Sequence, residues 1–67
     1  MFDQAEIEYI NEIAASSDAS KYAKTTLKAL YRIYDKYTGN KTTNCFCSST
    51  VRKIYYKDFI NWYESNT

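Results

Sequence analysis

Apolar residues recur at helical spacing in three stretches of the chain. In the first, Ile7, Ile10, Ile13 and Ala14 share one face of a helical wheel, with Glu8 and Glu12 nearly opposite. Asp3 and Glu6 stand at the spacing of a capping box, in which the first carboxylate accepts from the backbone of the fourth residue and the second reaches back. The pattern predicts a helix over 3–16, ended at Ser16 and Ser17, whose early acidic groups suit the helix dipole.

The second stretch is the longest and cleanest. Ala23, Thr26, Leu27, Leu30, Ile33, Tyr34 and Tyr37 form its apolar face, and Lys21, Lys24, Lys28, Arg32 and Lys36 lie opposite. A helix over 19–38 follows, started by Asp18 or Ser20 and stopped at Gly39, a residue suited to the left-handed position after a helix end. Being central as well as amphipathic, it is the expected hub of the fold.

Residues 40–44 are polar and predict a loop that runs on through Cys45 and Cys47 to Ser48 or Ser49, either of which is a good N-cap. A third helix over 49–64 places Val51, Ile54, Tyr55, Phe59 and Trp62 on one side. Tyr56, Ile60 and Tyr63 widen that apolar arc to about half the circumference, leaving Lys53, Lys57, Asn61 and Glu64 as the polar strip. One pair of neighbouring helices covers about a third to a half of a helix, so some of these aromatics are expected to remain accessible. Tyr56, Ile60 and Tyr63, with Arg52 at their edge, are therefore the surface expected to meet another protein or a second copy of the chain, since aromatic side chains anchor interfaces. The plainer alternative is that tyrosine hydroxyls reach the surface from a filled core. Together the three patterns predict an all-α fold, a compact three-helix bundle forming one domain over 1–67.

Composition agrees with helices. The 67 residues include no proline and one glycine, which argues against the turns of an all-β fold. A chain this short buries only about 60% of its unfolded surface, and two cysteines allow one internal bridge at most. The acidic N-terminus is unlike a signal peptide and no apolar run suits a membrane span, so an intracellular setting with reduced thiols and no membrane contact is expected.

Charge is unevenly placed although the net is +1. All five charged residues in 1–18 are acidic, residues 19–57 set nine basic side chains against Asp35 alone, and Asp58 and Glu64 follow. This fits either an anionic partner or an acidic first helix lying against basic neighbours.

Candidate chemistry is sparse. Cys45 and Cys47 can both ligate one soft metal, but a structural zinc site needs four ligands and the chain has no histidine and no third cysteine, so the pair is a half-site at most. Thiols ahead of a helix start and near Arg52 and Lys53 are open to a redox role, although C-x-x-C is the usual spacing. The structural alternative tucks Phe46 and one or both cysteines inward as apolar plugs. Without histidine or a glycine-rich loop, nothing marks an enzyme, a cofactor or a small-molecule substrate. The competing function is nucleic-acid binding without sequence readout: Lys21, Lys24, Lys28, Arg32 and Lys36 form a stripe able to track phosphates, with no suitable side chains to read base edges.

The block 45–59 (CFCSSTVRKIYYKDF) resembles small uncharacterised proteins of tailed bacteriophages, the crAss-like phages in particular, and the Lys-, Asn-, Tyr- and Ile-rich composition is what an AT-rich genome favours. The resemblance rests on this block, about 20 of the 67 residues with its immediate neighbours, and brings no catalytic residues with it. It implies a setting: a small virion accessory, or a modulator that docks on host or phage machinery in the host cytoplasm.

Overall fold

The computed structural model describes residues 2–16 and 19–67, and among these the protein is a small all-α three-helix bundle. Helix α1 spans Gln4–Ala15, α2 spans Lys24–Thr38 and α3 spans Ser49–Ser65. The capping box at the start of α1 is present, with the Asp3 N–H donating to Glu6 Oε1 at 3.0 Å. Helix α2 stops at Gly39, whose φ of 73° is the left-handed geometry that a Cβ would disfavour. Ser48 caps α3 by accepting the Val51 N–H at 3.4 Å.

The second helix starts later than its pattern predicts. Ala19–Tyr22 is a separate turn of 3-10 helix, and Ala23 is extended, with ψ 149°. The physical reason is a competing set of hydrogen bonds: the Ser20 carbonyl accepts the Ala23 N–H and the Thr26 hydroxyl, both at 3.0 Å. That break turns Tyr22 towards α3, where its ring meets Tyr56 edge to face at 5.2 Å. Asp18, the other expected start, lies outside the described residues.

The core is Ile10 from α1, Leu27, Leu30 and Tyr31 from α2, Phe46 from the loop, and Phe59 and Tyr63 from α3. Phe2 ahead of α1 closes one end, its ring 4.9 Å from Tyr37, 5.5 Å from Trp62 and 5.2 Å from Tyr63. Ala14, expected on the inner face of α1, is exposed.

Helix α3 is turned about its axis relative to the expected wheel. Tyr63, assigned to the outer contact surface, is buried, whereas Ile54, assigned inward, is 55% exposed. The over-wide apolar arc is covered because neighbouring helices are not its only cover. Phe2, Tyr22 and Phe46, all outside the three α-helices, add rings against it.

The charge asymmetry is partly internal. Lys36 near the end of α2 pairs with Asp3 at 3.4 Å and Glu6 at 3.2 Å, and the Tyr37 hydroxyl also donates to Glu6. Glu8 and Glu12 stay exposed, and no other ion pair forms among the described residues.

Candidate functional site

The loop between Gly39 and Ser48 is bonded to both α2 and α3. Its first half is tied to α2, because the Asp35 carboxylate accepts the Thr42 N–H at 2.9 Å and the Thr42 hydroxyl at 2.7 Å. Its second half turns at Phe46, which is 2% exposed and has a φ of 55°. A left-handed backbone costs a residue with a side chain about 1–3 kcal/mol, so the surroundings must hold it. Asn44 Oδ1 accepts the Phe46 N–H at 2.7 Å, and Arg52 Nη1 donates to the Phe46 carbonyl at 2.8 Å. The Phe46 ring packs 5.7 Å from Tyr31 and 5.2 Å from Tyr55.

Arg52 thus works within the fold. Its Nε also donates to the Tyr22 carbonyl at 2.7 Å, so one guanidinium ties the 3-10 turn, the loop and α3 together. Of the other expected contact residues, Tyr63 is buried, while Tyr56 and Ile60 are half-buried. Tyr56 lies against Tyr22, and this burial raises its phenol pKa.

With Phe46 inside, both neighbouring cysteines are outside. Cys45 and Cys47 are free and exposed, which corrects the expectation that one or both tuck inward. The left-handed turn explains it: the chain pivots on the buried ring and directs the flanking side chains away. Cys47 Sγ donates to the Cys45 carbonyl oxygen at 3.8 Å. The neighbouring Cys47 lowers the Cys45 pKa, and Cys45 in turn raises that of Cys47.

The other side of the loop forms one wall of a cleft of about 420 Å³, reaching from residues 40–44 to α2 and α3. Tyr31, Tyr34, Tyr55 and Trp62 supply its aromatic lining, Asp58 its carboxylate and Lys41 a basic group on the loop. Tyr34 and Trp62 meet edge to face at 4.9 Å, and Tyr31 and Tyr55 do the same at 5.2 Å. The Tyr31 hydroxyl donates to the Tyr55 carbonyl at 2.8 Å, and burial together with the Asp58 charge raises its pKa. Asp58 itself has no hydrogen bond or ion pair among the described residues. Sequence reasoning placed Tyr55 and Trp62 on the bundle-closing face and passed over Asp58. The available signal was the 55-58-62 spacing, which sets a carboxylate between two rings on one helix face.

The basic stripe is dispersed. Lys21 belongs to the 3-10 turn, with its ammonium 5.4 Å and 5.8 Å from the Tyr22 and Tyr56 ring centres, and Lys36 is ion-paired. Lys24, Lys28 and Arg32 remain exposed on α2 without ion pairs among the described residues. Nor do the described residues contain a group of three or more potential metal ligands. No helix is long and apolar enough to cross a membrane. No protein-family model, curated protein or solved structure matches the chain.

Proposed function

We propose that the chain is a non-enzymatic protein–protein interaction module that receives a basic side chain of its partner in the cleft between α2, the 40–44 loop and α3. The observation that carries this reading is Asp58, an unpaired carboxylate in a cleft lined by Tyr31, Tyr34, Tyr55 and Trp62. Aromatic faces attract alkylammonium and guanidinium groups, and a carboxylate adds a charge-assisted hydrogen bond. Lys41 is exposed and makes no ion pair with Asp58, so its long side chain is free to swing away from an arriving cation. The exposed Ile54 adds apolar area elsewhere on α3. The phage resemblance supplies a fitting setting, a small virion accessory or a modulator of a larger complex.

Trp62 is the chain's only tryptophan and lines the cleft, so its fluorescence reports occupancy directly. Titration with short peptides bearing one arginine or lysine is expected to change that signal, whereas peptides with glutamate at the same place leave it unchanged. Asp58→Asn is expected to weaken basic-peptide binding by about 1.5–3 kcal/mol, the worth of a hydrogen bond to a charged group. A flat signal with basic peptides, on protein whose circular dichroism shows it folded, rejects the reading.

A second reading, binding to nucleic-acid phosphates, rests on Lys24, Lys28 and Arg32, which are exposed at helical spacing on α2. Three phosphate contacts give a log–log salt slope of about −3. Absence of duplex and single-strand binding at low salt removes this reading.

A further inference from the structure

We propose that Cys45 and Cys47 form a two-coordinate binding site for a soft monovalent metal ion, Cu(I). The site goes beyond the docking cleft and rests on different observations. Both thiols are exposed and free, two residues apart on one turn, and Cys47 Sγ folds back to within 3.8 Å of the Cys45 carbonyl oxygen. The turn that presents them is fixed from inside by the buried Phe46 ring, the Asn44 side chain and the Arg52 guanidinium. A turn already held in place lowers the ordering cost of binding.

The number and kind of donors select the ion. Zinc sites in proteins are almost always four-coordinate, and no third or fourth ligand accompanies this pair among the described residues. Soft thiolates favour Cu(I), for which two sulfurs in line complete a coordination shell. On binding, each thiol releases its proton to solvent and two Cu–S bonds form, so Cu(I) with two thiolates carries one negative charge and no electron is transferred. Lys24 lies within electrostatic reach of both sulfurs and Lys28 of Cys47, and their charges offset that of the complex.

The test is an anaerobic titration of the full reduced chain with Cu(I), supplied as its acetonitrile complex, against the chromogenic Cu(I) chelator bicinchoninate. One ion is expected to be withdrawn from the chelator per chain, with the protein's mass by light scattering unchanged. Cys45→Ser and Cys47→Ser each remove one arm of a chelate, and each is expected to weaken binding by about 10²- to 10⁴-fold. Should either serine variant lose its helical signal, alkylation of the folded parent with iodoacetamide takes its place and is expected to abolish uptake. The proposal is overturned if the chelator keeps all the copper, or if the serine or alkylated protein binds as well as the parent. It is equally overturned by saturation at one ion per two chains with a doubled mass, which describes a shared four-thiolate site.

Discussion

The bundle is fastened at two places by opposite kinds of contact. At the start of α1, Asp3 and Glu6 meet Lys36 and Tyr37 through side chains that carry charges or titrate. At the loop before α3, Phe46 and Arg52 join α2, the 3-10 turn and α3 through buried rings and a guanidinium bonded to backbone carbonyls. Exposed ion pairs contribute little and depend on salt and pH, whereas a buried ring contributes through area removed from water under all these conditions. The surfaces carrying the candidate chemistry, the cleft and the thiol pair, both border the second fastening. A binding surface that keeps its shape belongs beside the rigid attachment.

Deleting the plug is the largest expected break in this contrast. Phe46→Ala is expected to cost about 3–5 kcal/mol, a large share of the roughly 3–10 kcal/mol that a chain of this length is expected to have. Phe2→Ala removes a half-buried ring from the other fastening and is expected to cost about 1 kcal/mol. Urea unfolding followed by circular dichroism measures both. Equal losses would mean that the two ends hold the bundle alike.

Arg52→Met comes next and sharpens what the guanidinium does. The substitution keeps much of the aliphatic stem but leaves the Phe46 and Tyr22 carbonyls without their donor, at a cost of about 2–3 kcal/mol. If Arg52 instead served an interface, the isolated chain would keep its stability and lose only binding. Stability and Trp62 peptide titrations on the same variant separate the two roles.

The fates of Arg52 and Tyr63 mark how far the sequence was legible. Helical periodicity is local, so the three α-helices, the Gly39 stop, the Ser48 cap and the Asp3–Glu6 box could all be read from spacing. What covers a helix is not local. The arc on α3 looked too wide because part of its cover comes from outside the α-helices: Phe2 ahead of α1, Phe46 in the loop, and Tyr22 in a 3-10 turn that the pattern read as the start of the second helix. Phe46 was legible as a plug, but not its left-handed backbone, which depends on Asn44 and Arg52 acting together. The cleft needed three segments brought together, so Asp58 passed as an ordinary surface acid.

The smallest expected effect tests the first fastening through its protons. Glu6 accepts the Tyr37 hydroxyl, the Asp3 N–H and the Lys36 ammonium, and in that order of weight these keep its pKa below the ordinary value. A carboxyl whose pKa is lowered by folding contributes stability that is complete above its unfolded pKa, about 4.3, and is lost as pH falls through the lower folded value. The same contacts raise the pKa values of Tyr37 and Lys36, so their contribution is complete below about pH 10 and lost as pH rises through the raised folded values. The α1 fastening is therefore expected to contribute on a plateau between about pH 5 and 10, with losses on both sides. Glu6→Gln removes the acid limb: urea midpoints of variant and parent should differ at pH 7 and converge as the solution becomes strongly acidic. The Phe46 side chain has no ionisable group, so Phe46→Leu should instead lower the midpoint by the same amount at both ends of the acid series. A Glu6→Gln difference that persisted undiminished into strong acid would show that Glu6 acts through packing and not through its charge, and the contrast between the two fastenings would lose its electrostatic half.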